Sequence, residues 1–429
     1  MRLPADHPQR IELNNEVHAR PPEPLVAPTR LSYLALFCDP AQRDAGAAAV
    51  RELCARYSVP PPADKVLHFN ANLGPFRLKW ERHTEFTRFM FIVDGAVEDP
   101  FARPAIAMVP QDWVESLPGQ LIVAAHLAFV PGEPGPLDPR AIGARWFNGN
   151  NLIGSAVSGG AATALADFQI HYDGFARHLV LDHGTTPWQA GRIAQRLLEI
   201  DTYKMMALLA LPVARAAGSL LTEAGQELAQ ITRSLVSADE TAEPGLLNSL
   251  TRLEAEIENQ QSETRYRFSA SNAYYELVQR RIDELREQRI QGLQTFREFI
   301  ERRLAPAMNT CRSVAARQEA LSQRVGRTTR LLSTRVDLTR ERQNQALLES
   351  MNRRARLQLR LQTTVEGLSV AAITYYTSAL VGHATEALKI EGLPVDPDLA
   401  MGISIPLIAV AAWFGIHHLR RKVMGPGGD

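Results

Sequence analysis

Six residues near the carboxyl end, Thr363, Glu366, Val370, Thr374, Thr377 and Val381, recur at steps of three and four. On a helix that spacing gathers them on one face, a narrow stripe of hydroxyls and aliphatic groups with one carboxylate near its start. Repeated around an axis, rings of threonine hydroxyls could replace part of an ion's water shell, valine rings could gate it, and a Glu366 ring could attract cations. Four acids follow, Glu386, Glu391, Asp396 and Asp398, with Lys389 the one base among them, and could concentrate divalent cations at a mouth. A plainer reading carries more weight: Gly367, Ala371, Ser378 and Gly382 let helices approach closely in an anchoring bundle.

Other groups of reactive types are weaker. His171, Asp173, His178, Asp182 and His183 are suitable zinc or manganese ligands. Residues of opposite parity on a strand point to opposite faces, however, so solvated strand ends are the favoured reading. Asn14, Asn15, Glu16, His18 and Arg20 form a dense polar cluster before Pro21 and Pro22. It is suited to an anion, a nucleotide or an intersubunit latch, or simply to satisfying backbone partners in an arm. The run Gly154 to Gly160 lacks the lysine of a phosphate loop and the spacing of a nucleophile elbow. Cys54 has no placed histidine partner. No enzymatic activity and no cofactor is expected.

The elements that must carry the stripe are two apolar segments, 363–384 and 399–419. Their 22 and 21 residues reach about 33 and 31 Å, close to the hydrocarbon thickness of a bilayer. Arg353, Arg354, Arg356 and Arg360 precede the first, and Arg420, Arg421 and Lys422 follow the second. Basic flanks stay inside, so both termini are expected in the cytoplasm and the acidic connection outside. The first segment is polar for a span, holding Glu366, Tyr375, Tyr376 and His383, and should face protein or water, which favours homo-oligomers.

Before this hairpin the chain changes character twice. After an N-terminal arm (1–30), residues 31–185 alternate short apolar runs with turns, the pattern of an α+β domain. Strands are expected at 31–38, 86–93, 121–130, 151–157, 164–172 and 175–181, the last two forming a hairpin around Asp173-Gly174. Phe76, Leu78 and Trp80 alternate with Arg77, Lys79 and Glu81, the period of a half-exposed strand. Thr186 and Pro187 open a helical segment (186–236). From 246 to 362 apolar residues, Leu246, Leu250, Leu253 and Ile257 onward, follow the steps of an antiparallel coiled-coil stalk, with a break expected at Pro306. The expected fold is thus an α+β cytoplasmic head, long antiparallel coiled-coil helices, a transmembrane hairpin (363–419) and a cytoplasmic tail (420–429).

Composition agrees with a protein of the bacterial inner membrane whose bulk stays inside. The first twenty residues are polar, with no apolar run of the kind that directs export. Three scattered cysteines suit a reducing compartment. Basic and acidic residues balance at 47 each, so no global field recruits nucleic acid. Between Arg312 and Arg360, however, twelve arginines face four acids, favoured as a solvated helix face that keeps basic residues inside and additionally suited to anionic lipid head groups.

Two strings carry a family resemblance. His7-Pro8 with Asn15-Glu16-Val17-His18-Ala19-Arg20-Pro21-Pro22, and the run from Arg196 to Met206, resemble the signature of a bacterial family of uncharacterised membrane-anchored proteins, domain of unknown function 3422. That likeness covers the chain and implies anchoring without an activity. The layout of head, long helix, acidic outer connection and basic tail also resembles the CorA-type divalent-cation channels, which implies an oligomeric ion channel or transporter with a regulatory head. Those proteins carry Gly-Met-Asn at the outer end of the first span. Here the residues are Leu380-Val381-Gly382-His383-Ala384, so magnesium selectivity is not carried over. The competing class is a membrane-anchored scaffold without transport.

Overall fold

The computed structural model describes residues 4–11, 13–14, 21–39, 42, 44–64, 66–133, 135, 137–390 and 396–423. Asn15, Glu16, His18, Arg20 and Glu391 lie outside them. The described residues fall into two units, one formed by 4–237 with 245–329 and the other by 238–244 with 330–423.

The first unit is built on a nine-stranded sheet. Its strands are β1 (Thr29–Phe37), β2 (His68–Asn72), β3 (Arg77–Arg82), β4 (Phe86–Asp94), β5 (Gln120–Pro131), β6 (Ile153–Val157), β7 (Ala162–Ala166), β8 (Ala176–Asp182) and β9 (Gln288–Arg289). They lie in the order β2-β3-β4-β1-β5-β8-β7-β6-β9. All pairs are antiparallel except β5 with β8. The β-branched and aromatic runs expected as strands form them, with one difference of register. β7 ends at Ala166 instead of reaching residue 172, and Ala166 already pairs with His178. Asp173-Gly174 therefore turns a longer connection, closed by the Gly174 amide on the His171 carbonyl at 2.9 Å.

Both faces of the sheet are covered. On one side α1 (Ala45–Arg56), a 3-10 turn (Ala105–Met108) and α2 (Gln111–Glu115) bury Leu34, Leu78, Trp80, Phe89, Phe91 and Trp113. Next to them, α3 (Pro139–Trp146) borders a cluster of Phe101, Phe147, Leu165 and Leu179. Three helices supply the other face: α4 (Pro187–Leu208), α6 (Glu243–Leu285) and the start of α7 (Phe296–Ile390). α4 begins as the sequence indicates, with Pro187 in its first turn and a capping box between Thr186 and Gln189. Its Gly191 admits the backbone of Glu23 so closely that a Cβ would collide with the Glu23 carbonyl, which lays the arm across the helix.

The helical region departs from a simple stalk in two places. α6 and α7 do run antiparallel, bridged by Thr264 to Gln318 at 3.1 Å, Gln261 to Glu319 at 2.8 Å and Arg312 to Asn272 at 3.0 Å. Between them, however, the chain leaves the helix at Arg286, in the left-handed region with φ 50°, and adds β9 to the sheet edge at β6. The apolar period that continues through Leu285, Leu293 and Phe296 thus crosses a strand, because all three side chains are buried in the unit whether or not the backbone is helical. Pro306, expected to break the helix, lies inside α7. A proline costs an interior helix roughly 3 kcal/mol, whereas Phe296, Ile300, Leu304 and Met308 on one buried stripe gain roughly 1.5–3 kcal/mol each. α5 (Ala210–Ser237) joins this group through Arg252 to Glu227 at 2.9 Å and Arg317 to Thr222 at 3.2 Å.

The second unit consists mainly of the rest of α7, unbroken through 363–384, and α8 (Pro397–Val423).

Candidate functional site

Two helical stretches among the described residues are long and apolar enough to cross a membrane, Pro187–Ser237, which is α4 continued by α5, and Pro397–His418 of α8. They differ in their surroundings. One third of the first is buried in the protein, where Ile193, Leu197, Ile200 and Met206 belong to the core. None of the second is buried, and Leu399, Ile403, Leu407, Val410, Trp413 and Phe414 are all more than half exposed. The expected first span, 363–384, is not among these helices, since Glu366, His383 and a run of hydroxyl residues lower its hydropathy.

Within that segment the stripe has a definite placement. Thr363 is exposed; Glu366, Val370, Thr374, Thr377 and Val381 are half-buried. They share the side of α7 that carries Ser378, which is buried, and Gly382, whose Cβ would stand 3.0 Å from the Met401 sulfur of α8. Tyr375, Tyr376, Leu368 and Leu380 point outward on the other side. Thr363 and Thr374 direct their hydroxyls to carbonyls one turn back, Thr374 to Val370 at 2.7 Å for example. Of the acids in and beside the connection between α7 and α8, Glu386 faces His383 at 3.8 Å, and Asp396 caps α8 by accepting from the Asp398 amide at 3.1 Å.

In the first unit a small set of charged residues lies inside. Lys79 and Glu81, expected on an exposed strand face, are 4% and 0% exposed because α4 and α6 cover that face. Arg88, beside them on β4, binds Glu81 and reaches Glu199 of α4 at 3.2 Å. Glu199 also accepts from Gln195 at 2.7 Å and from Arg281 of α6, which holds Glu284 at 3.0 Å. Lys79 sits 3.1 Å from Glu81 and donates to the Pro21 carbonyl of the arm. Burial alone would raise both carboxyls, but the Arg88 guanidinium wins and holds Glu81 and Glu199 below the usual range. The string from Arg196 to Met206 is the hub of this interior. Asp201 binds His178 at 2.6 Å and Lys204 at 2.7 Å, and Thr202 meets the Tyr33 hydroxyl at 2.8 Å. A helix that is polar on several sides and yet buried is held by partners on each of them.

The histidines and acids suspected of binding metal are separated. His171 pairs with Asp167 at 2.9 Å, His178 of β8 with Asp201 of α4, and His183 with Thr163 at 3.0 Å. Asp182 turns the chain by accepting from Gly184 and Thr185. Among the described residues no group of three such side chains could hold a metal ion. The reading as solvated strand ends describes His183, which is exposed, but not His171 and His178, which are 7% and 1% exposed.

A line of residues that sequence reasoning missed runs from Ser32 to His126 Nδ1 at 2.9 Å and on from Nε2 to Asp173 at 3.8 Å. It has the order hydroxyl, imidazole, carboxylate. Ser32, however, is fully buried and accepts the Ile106 amide at 3.0 Å, and Phe175 stacks on the imidazole at 3.9 Å, so the line is closed to a substrate. Burial pushes His126 down to about 4, with Asp173 opposing and Arg177 assisting. A folded value below the unfolded 6.5 means that stability is complete above pH 6.5 and is lost as pH falls through 4. His126→Asn is therefore expected to flatten the dependence of melting temperature on pH between about 6.5 and 4, a span in which the histidine accounts for about 3 kcal/mol.

A comparison with protein families matches residues 5–423 to the family described as "Protein of unknown function (DUF3422)". No curated protein and no solved structure matches the chain.

Proposed function

Since the chain belongs to the DUF3422 family, whose description names no activity, we propose a function from its own chemistry: a homo-oligomeric inner-membrane protein, held in the bilayer by α8 and the end of α7. Both termini are cytoplasmic, the sheet-bearing head is its regulatory part, and α6 with α7 forms an antiparallel coiled-coil stalk. The observation that carries this reading is the apolar helix Pro397–His418, none of which is buried. Eight large apolar side chains stand exposed on it. Leaving them in water would cost on the order of 10–25 kcal/mol, which lipid removes. The outward Tyr375, Tyr376, Leu368 and Leu380 extend the same surface.

Between tether and conduit, the tether is better supported. Glu366, Val370, Thr374, Thr377 and Val381 are half-buried on the side of α7 where Gly382 meets Met401, as a packing stripe would be. The second reading, a CorA-like ion channel, is favoured by the same hydroxyls repeated in an oligomer and by Glu386, Asp396 and Asp398 as a cation-collecting cluster.

Washing membranes with alkaline carbonate should leave the full chain in the pellet, and protease outside intact spheroplasts should spare the head. Release into the supernatant or digestion of the head would end the proposal. Flux of divalent cations into vesicles holding the purified chain decides between the two versions: none is expected of a tether.

A further inference from the structure

At one end of the sheet a cavity of about 840 Å³ opens where the parallel pair β5 and β8 finishes, bordered by Val130 and Pro131 from one and Leu181 and His183 from the other. The space outside the carboxyl ends of parallel strands is where such sheets present loops and amides to small ligands. The volume suits a small organic molecule. Most of the wall is apolar: Val97, Val130, Leu137, Ile142, Leu181 and Ile290.

Two polar groups in this wall lack partners. The Arg30 Nε and the Trp146 indole nitrogen are both buried and make no hydrogen bond. Each is a donor that cannot accept, so neither can satisfy the other, and an acceptor from outside is what both require. Arg30 spends one terminal nitrogen on the Arg103 carbonyl and has no carboxylate within ion-pair distance among the described residues. Burial and the neighbouring Arg103 lower its affinity for its proton, as expected of a guanidinium without a counter-charge. The carboxylate of Asp138 is already taken, accepting the Arg140 and Ala141 amides at 2.9 and 3.2 Å to cap α3. Glu98 and Glu133 stand exposed in the lining. Arg145 lines the cavity too, exposed and stacked on the Trp146 ring at 4.5 Å, so it offsets one of these two acids; the other acid would repel a dianion, whereas the unpaired Arg30 guanidinium balances a single negative charge.

We infer that this cavity binds a small organic carboxylate, its apolar or aromatic body between Leu137, Ile142 and Leu181 and its carboxylate oxygens on Arg30 and Trp146. An arginine presents two parallel donors to a carboxylate, and the indole N–H supplies a third. The inference deepens the reading of the head as the regulatory part, and it uses residues of the first unit alone. It holds whether or not α8 lies in lipid.

The test reads binding and not location, so the two proposals fail separately. The full chain, in lipid nanodiscs if it inserts and in buffer if it does not, is titrated calorimetrically with 4-phenylbutyrate, 4-phenylbutan-1-ol and 4-phenylbutyl phosphate, with the protein-free medium as the blank. One saturable site for the carboxylate is expected, with the alcohol weaker by about tenfold or more. Arg30→Met should lose about tenfold or more, and Trp146→Phe, which keeps an aromatic six-membered ring and removes the pyrrole ring with its N–H, a smaller factor. Ala141→Trp, on an exposed position of the wall, should block the site without touching either donor. The inference is overturned if the carboxylate does not saturate, if the alcohol or the phosphate binds as tightly, or if Ala141→Trp binds like the parent. Equal binding by a folded Arg30→Met would overturn it too.

Discussion

Replacing Arg88 by alanine is expected to cost the head about 3–5 kcal/mol, the penalty of leaving buried carboxylates without their cation. Arg88 is 4% exposed and is shared between Glu81, fully buried, and Glu199, 3% exposed. Lys79 and Arg281 remain to the two acids, which keeps the loss finite. Melting followed by tryptophan fluorescence, with Trp80 and Trp113 fully buried on the opposite face as reporters, should fall by about 6–15 °C. The exposed pair of Arg51 and Asp64, at 3.0 Å, is the control, and Arg51→Ala should change stability by no more than about 1 kcal/mol. The Arg88 effect also has a sign in pH. Because the guanidinium holds both carboxyls down, its contribution is complete above the unfolded value near 4.5 and shrinks below it. An Arg88→Ala protein as stable as the parent at pH 7 would mean that this interior is solvated after all.

Two arginines in the middle of α8, at Leu407 and Val410, should abolish retention in membranes. Each arginine at the centre of a spanning helix costs about 2.5–3.5 kcal/mol, so the pair shifts insertion by about 5–7 kcal/mol, several powers of ten. Both positions are more than half exposed, so no packing inside the chain is disturbed. Leu407→Ala with Val410→Ala keeps the helix apolar and should remain in the carbonate-washed pellet. If α8 were instead a surface of a water-soluble protein, the arginines would raise solubility and leave fractionation unchanged. Retention of the double arginine variant would therefore count against a bilayer around this helix.

How much of this could be read from the sequence follows from the range of each signal. Apolar runs placed β1, β4, β5 and β8 because a strand buried on both faces is apolar along most of its length, and Thr186 with Pro187 announced the start of α4. Alternation at residues 76–81 correctly separated two faces, yet it cannot say what covers the polar one. Only the packing of α4 and α6 turns Lys79 and Glu81 inward. The two residues of β9 are too short to have a period, so the helical pattern ran over them. Pro306 carries a strong local preference that a buried stripe overrides. The candidate cavity was invisible for another reason: Arg30, Trp146 and Leu181 are unremarkable in their own segments and meet only because the start of β1 and the ends of α3 and β8 lie at the same side of the sheet. The stripe in α7 was legible as a stripe, whereas its partner depends on how α8 folds back.

A nine-stranded sheet has two rims where unpaired amides and carbonyls could recruit another chain. Here one rim is β2, five residues with Asn70 and Asn72 in it, and the other is β9, two residues long and tied by Arg289 to Glu298 of α7. Short, polar or charged rims offer a poor template for a tenth strand. By closing off β6, the ten-residue excursion between α6 and α7 therefore protects the head from strand-to-strand aggregation, even where many copies are crowded together.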